Sequence, residues 1–369
     1  MERNKKMEKG RGMKYLIVDD LKLNFSNIAP LRSQLDIRTG ILKLRQKLEG
    51  YLGIEEDYLI IERKLEELYK ERYSDKQINE LPAGNICLVN GRVKIDERIA
   101  DIITQQEVNT IITSPSNEFV SVKIANQETS YCDSQTFLNM DFSHLPKQEM
   151  NISLWSSIDE IIIANSVSIQ QDYSDFFYDK DNYSETEQGV TIINPYDVWI
   201  GQGAVLKHGA VLDASQGPIV VDEDATIGLN ACIEGPAYIG KETVIQASTI
   251  IRGGTSIGKG SNIGGEIVSC VFQGYSTKPF RGSLHKCYVG EWTKFEAGIS
   301  IDSDFFDHNK VTKIRDYSLS FLFNNNSGDN ICQYQEMRKT KLEAMKFDKN
   351  VKFSKIELML LKQYLNEEI

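Results

Sequence analysis

From Ile227 to Ile263 an isoleucine recurs at every sixth residue: Ile227, Ile233, Ile239, Ile245, Ile251, Ile257 and Ile263. Two positions before each stands a small residue, at Ala225, Ala231, Ala237, Thr243, Thr249, Thr255 and Ser261, and glycine follows at Gly228, Gly240, Gly258 and Gly264. A helix repeats its faces every 3.6 residues and a strand every 2, so neither explains a period of six. A short strand plus a tight turn does, three such units closing one triangular coil. The isoleucine points inward, the small residue fits the corner, and glycine tolerates the turn. Stacked coils then satisfy one another's backbone groups. Runs in step at Ile200, Leu206 and Leu212, and at Val289, Phe295 and Ile301, extend the pattern. The reading is a left-handed parallel β-helix of hexapeptide repeats from about Ile200 to Ile301. The spacing breaks twice, around DASQGPI after Leu212 and over VFQGYSTKPFRGSLHK between Ile263 and Val289. The second break predicts a loop thrown out of the solenoid, where ligands are commonly gripped.

Upstream, apolar runs alternate with helical patterns. Met13–Val18 (MKYLIV) reads as a buried strand ending in Asp19-Asp20, and residues 41–51 read as a helix closed by Gly53. Strands at 58–61, 85–89, 118–125 and 130–133, with helices at 62–69 and 95–103, predict a mixed α/β domain with a mainly parallel sheet. The acidic, tyrosine-rich stretch 171–190 has no period and reads as a linker or exposed arm. The expected organisation is a tail at 1–12, an α/β domain at 13–175, a linker at 176–195, the β-helix at 196–316 and a C-terminal helical cap at 317–369. That cap rests on helical periods at 334–345 and 353–365, which would cover the unpaired solenoid end. The first twelve residues read as a mobile tail, or as an upstream start ahead of Met13.

A net charge of −11 argues against nucleic acid as a partner, which needs concentrated positive surface. Cysteines at 87, 132, 232, 270, 287 and 332 include no CxxC pair, so neither a zinc site nor a thioredoxin-like motif is indicated. The polar start lacks the apolar core of a signal peptide, and no apolar run is long enough for a membrane span; the expected location is cytoplasmic, with no membrane partner.

Several short motifs carry a resemblance. They are Asp36-Ile37-Arg38-x-Gly40-Ile41-Leu42 with Arg45, Asn90-Gly91-Arg92, Ser215-x-Gly217-Pro218-Ile219, Ile263-Gly264-Gly265-Glu266-Ile267, Gly274-Tyr275-Ser276-x-Lys278 and Gly290-Glu291-Trp292. In this order they resemble an alternative bacterial branch of the bifunctional N-acetylglucosamine-1-phosphate uridyltransferase/glucosamine-1-phosphate acetyltransferases. The resemblance implies an α/β nucleotidyltransferase-like (Rossmann-like) domain ahead of the solenoid, a homotrimer, Mg2+ for nucleotidyl transfer, and nucleotide and sugar-phosphate ligands. It would place Arg32 and Arg38 at the phosphates as catalytic residues. Asp36, Gly40, Arg45, Asn90, Gly91 and Arg92 would bind the nucleotide or its sugar. For Lys43 and Arg45 the residues alone also allow the exposed side of an amphipathic helix. No metal ligand is assigned; Asp172, following Asn165, is the nearest carboxylate to the family's position, and Trp155 is displaced from the family spacing.

The chain departs from the family at two places. Ser33 stands where proline follows the arginine, and Phe280 stands where the family's histidine follows the lysine matched by Lys278. Acetyl transfer needs a base to deprotonate the sugar amine, and phenylalanine cannot serve. A solenoid-loop site of Tyr275, Ser276, Lys278, Arg281 and His285 would then act on acetyl-CoA only if His285 or His208 replaced the lost histidine. The expectation is a nucleotidyltransferase of the UDP-N-acetylglucosamine pyrophosphorylase type whose solenoid has lost acetyl transfer. A sugar acyltransferase using acyl-CoA and a non-catalytic trimeric scaffold or sensor are the alternatives.

Overall fold

The computed structural model describes residues 12–23, 25, 28–29, 31–54, 58–182, 187–279, 281–301 and 312–314, with a few positions between 354 and 363. The chain divides into two compact units. One is an α/β unit built from the first strand, Leu31–Ile37 and Lys43–Ser157; the other holds Arg38–Leu42 and the chain from Ile158 onward. The boundary expected at 175 therefore falls at Ser157, and a short strap of the N-terminal sequence belongs to the second unit.

In the α/β unit, β1 (Met13–Val18), α1 (Leu44–Leu52), β2 (Tyr58–Ile60), α2 (Glu66–Arg72), β3 (Gln77–Ile78), β4 (Gly84–Asn90), α3 (Glu97–Gln105), β5 (Thr110–Thr113), β6 (Phe119–Gln127) and β7 (Lys147–Glu149) follow in order. The sheet order is β7-β5-β6-β4-β1-β2-β3. β1 runs parallel to both β4 and β2, whereas β6 is antiparallel to β4 and β5. Leu16, Ile17, Val18, Leu59, Leu88 and Val89 are sealed from solvent, as strands covered on both faces require. α3 shows how the local sequence sets an element. Asp96 caps it by accepting from the Ile99 N–H, and Ile99, Ala100 and Ile103 make its buried stripe.

The second unit is a left-handed parallel β-helix whose three sheet faces hold six, seven and five strands among the described residues. Each repeat contributes a two- or three-residue strand, as at Thr226–Ile227, Cys232–Glu234 and Ala237–Ile239. Ile227, Ile233, Ile239, Ile245, Ile251, Ile257 and Ile263 are all fully buried in one continuous core. Each contributes about 1.5–3 kcal/mol on leaving water. Asp224, Glu242, Gly260, Tyr275 and Trp292 turn one corner of successive coils with φ between 52° and 67°. At Gly258 the constraint is steric: a Cβ there would stand 2.1 Å from the Gln273 carbonyl oxygen of the next coil.

The expected excursion between Ile263 and Val289 does not leave the solenoid. Asn262 pairs with Thr277 and Glu266 with Ser283, so these coils are shorter than the eighteen residues separating Val244 from Asn262. The inward column runs on through Ile267, Phe272, Lys278, Leu284 and Val289. Shortened corners, and a lysine in an aliphatic position, disguise the period.

The start of the stretch 171–190, read as a linker or exposed arm, also changes. Residues 165–176 form a helix, α5, preceded by α4 (Ile158–Ile163). Its buried face is Asn165, Ser168, Ile169, Asp172 and Tyr173, helical in spacing but mostly polar. Those polar groups hold the strap: Asn165 Oδ1 accepts from the Gly40 N–H at 2.7 Å, and Asp172 Oδ2 from those of Ile41 and Leu42 at 2.8 and 3.1 Å. Of residues 41–43, expected to open a helix, Ile41 therefore lies in a turn and Leu42–Lys43 are extended, and α1 starts at Leu44. Ile41, Ile169, Tyr173, Phe177, Trp199, Val220 and Tyr238 pack together and cover one solenoid face. Residues 1–11 of the expected tail, and 334–345 of the expected cap, lie outside the described residues; within 353–365 the backbone is helical at Ile356, Glu357, Met359, Leu360 and Gln363.

Candidate functional site

The carboxyl ends of β1 and β4 meet at the edge where parallel sheets bind ligands. The Gly91 N–H continues the ladder to the Val18 carbonyl at 2.9 Å. A Cβ on Gly91 would stand 2.0 Å from a Leu35 methyl, so glycine is what lets the 34–36 turn close over this edge.

Asp20, immediately after β1 and its Asp19 neighbour, takes the Arg92 guanidinium through Nε at 2.9 Å and Nη2 at 2.7 Å. Asn90 Nδ2 and Gln34 Nε2 also donate to it, at 2.9 and 2.8 Å. Burial alone would raise this carboxyl, but Arg92 holds it below the usual range. Asp19 has only neutral donors: Ser33 Oγ and the N–H groups of Leu21 and Gln34. Full burial pushes Asp19 up to about 6, partly offset by Ser33. Adjacent carboxylates thus diverge because one faces a guanidinium and the other a hydroxyl. Glu118, just ahead of β6, completes the cluster by accepting from Arg92 Nη2 at 2.8 Å and from Lys22 Nζ at 3.0 Å.

Of the expected nucleotide-binding residues, Asn90, Gly91 and Arg92 are therefore brought together. Arg32 is nearly buried, with Nη1 on the Leu31 carbonyl at 3.0 Å. Asp36 is 0% exposed and sits in a knot of its own. It accepts from Tyr69 Oη at 2.5 Å, Arg45 Nε at 2.9 Å, Tyr73 Oη at 3.1 Å and Lys43 Nζ at 3.3 Å. Burial would raise Asp36, but Lys43 and Arg45 hold it far below the carboxylate range. Arg45 also binds Glu49 at 2.9 Å and lies over the Tyr73 ring. Arg45 is therefore not on an exposed helix surface, and Asp36 is enclosed by these four partners.

Arg38 and Gly40 belong to the strap of the second unit. The Arg38 N–H reaches Gln273 Oε1 at 3.1 Å, while its guanidinium bonds the Ile41 carbonyl and lies 5.1 Å from the Tyr238 ring centroid. Its buried side chain holds the strap on the solenoid, in place of the expected phosphate contact.

The expected solenoid-loop residues do not converge. Lys278 is 1% exposed inside the core, donating to the Gly264 and Gly282 carbonyls at 3.0 and 2.9 Å. Burial lowers its amine to about 8. Ser276 is buried and donates to the Gly290 carbonyl; Tyr275 stacks on Trp292 with centroids 4.5 Å apart; Arg281 is exposed; His285 is half-buried on an outward face. His208 is held by the Gln188 carbonyl at 2.7 Å. Phe280 lies outside the described residues.

The Mg2+ implied by the resemblance asks for oxygen ligands beyond those of its phosphates. Both Asp20 oxygens are engaged by Arg92, Asn90 and Gln34, and both Asp19 oxygens by Ser33 and backbone N–H groups. Among the described residues no group of three His, Cys, Asp or Glu could hold a metal ion. These residues do not fit a resident metal. Reasoning from sequence missed Asp20, Gln34, Lys22 and Glu118; the signal for the first was the acidic pair closing an apolar first strand. Among the described residues no helix is long and apolar enough to cross a membrane.

Residues 15–179 match the family model described as sugar nucleotidyl transferase, which spans the α/β unit and runs on through α5. The chain is 24% identical, over 181 residues, to the bifunctional protein GlmU of Enterococcus faecalis (strain ATCC 700802 / V583), a match covering 46% of this chain. The match spans 39% of that relative's length.

Proposed function

We propose that the α/β unit transfers a nucleotidyl group to a sugar 1-phosphate, with UTP and N-acetylglucosamine 1-phosphate as the first pair to test. The observation that carries this reading is the coincidence of the sugar nucleotidyl transferase match with a unit whose β1 and β4 ends, with the start of β6, assemble Asp20, Asn90, Arg92, Lys22 and Glu118. In such a transfer an oxygen of the sugar phosphate attacks the α-phosphorus, the bond to the β-phosphate oxygen breaks, and pyrophosphate leaves. Arg92, with Arg32 as a second candidate, is the cation for the developing charge. Mg2+ enters as the counter-ion of the triphosphate in the assay. The solenoid serves as the body of a cytoplasmic homotrimer and has lost acetyl transfer, a reading supported by Lys278 lying in the core and by the absence of histidine at position 280.

The test is pyrophosphate release on incubating the full chain with UTP, Mg2+ and a panel of sugar 1-phosphates. Release dependent on one sugar supports the proposal; silence across the panel, and with other nucleoside triphosphates, refutes it. The saturated carboxylates at the edge favour one second reading, a trimeric sensor that binds a nucleotide sugar without turnover. That reading expects a raised melting midpoint with ligand but no pyrophosphate. An acyl-CoA-dependent activity would instead show as calorimetric binding of acetyl-CoA.

A further inference from the structure

One oxygen of Glu118 bridges two cations from different strand ends, Lys22 Nζ at 3.0 Å and Arg92 Nη2 at 2.8 Å. The cations differ in freedom. Arg92 is 2% exposed and anchored by Asp20 and by the Trp155 carbonyl at 2.7 Å. The Lys22 side chain is 52% exposed and that of Glu118 27%, so both can swing aside while Arg92 stays. Ser116 Oγ, a further donor to Glu118, sits at 3.3 Å on the surface. Asp20 neutralises Arg92, so without Glu118 the group is left with the positive charge of Lys22 and the Arg92 Nη2 N–H that Glu118 accepted from.

We propose that Lys22 and Arg92 form a subsite for a phosphate or diphosphate group, and that Glu118 fills it as an internal stand-in until a polyanionic ligand displaces it. A carboxylate and a phosphate present similar oxygens to the same donors, but the phosphate carries more charge and a third oxygen. Glu118 therefore sets a threshold. Monoanions lose the exchange and di- or trianions win it. This rests on the reading of the α/β unit as a nucleotide site and names the control of its phosphate end.

The experiment is calorimetric titration of the full chain with sodium pyrophosphate, without Mg2+, for the natural protein, Glu118→Gln and Lys22→Gln. Removing a competing, like-charged carboxylate from a partly exposed ion pair should tighten pyrophosphate about tenfold, and removing Lys22 should weaken it about as much. Glu118→Ala should repeat the gain if the glutamine variant is unstable. Equal or weaker binding by both Glu118 variants overturns the proposal, as does no binding by any of the proteins. Turnover with UTP alongside unchanged Glu118→Gln binding would remove this inference and leave the proposed function standing. Tighter binding without turnover would do the reverse.

Discussion

Lys278 sits in a column otherwise made of Leu206, Ile227, Ile245 and Ile263, and its amine is lowered from 10.5 to about 8 by burial. The folded state therefore binds fewer protons than the unfolded state between pH 8 and 10.5, and stability must rise with pH across that window. A shift of this size corresponds to about 3 kcal/mol, most of it recovered between about pH 8 and 10. Lys278→Met keeps the length and removes the titration. It also frees the Gly264 and Gly282 carbonyls, of which the second still accepts from the Glu266 N–H at 3.1 Å. Denaturant unfolding of both proteins at about pH 7, 8, 9 and 10, followed by circular dichroism, gives the difference curve in which other titrating groups cancel. The natural protein should gain about 2–3 kcal/mol on the variant between about pH 7 and 10. A difference constant to within about 0.5 kcal/mol would refute the buried-amine argument.

Asp36→Asn should cost about 3–5 kcal/mol, because it removes the fully buried counter-charge shared by Arg45 and Lys43 and leaves Arg45 only the partly exposed Glu49; the denaturation midpoint of the full chain reports it. Asp19 is raised to about 6, so the folded state holds the extra proton: stability relative to Asp19→Asn should fall as pH rises from about 4 to 6, visible in paired thermal melts. Asn165→Ala removes the partner of the Gly40 N–H and of the Gly254 carbonyl, and should cost about 2–3 kcal/mol, with faster hydrogen exchange at Gly40 and Ile41.

The solenoid was legible because its cause is local and repeated. Each hexad buries one isoleucine and turns one corner, so seven repeats state the same geometry in the sequence itself. The alternation of strands and helices before Ser157 was legible for a similar reason, since apolar runs such as Met13–Val18 must be covered on both faces. What only the tertiary structure decided lies where polar groups are buried. Asn165 and Asp172 lie seven residues apart on one helix face, but polar residues do not announce a buried face until their partners, the N–H groups of the strap, are known. Lys278 looks like a loop residue until the carbonyls of two corners are brought to its amine. Arg38, Asp36 and Arg45 look alike as charged residues in one motif, yet the fold sends the first to the solenoid and locks the other two together. A hydrophobic residue's burial follows from its own transfer free energy. A charged residue's role depends on partners that are distant in sequence, such as Asp20 and Arg92, and only folding brings them together.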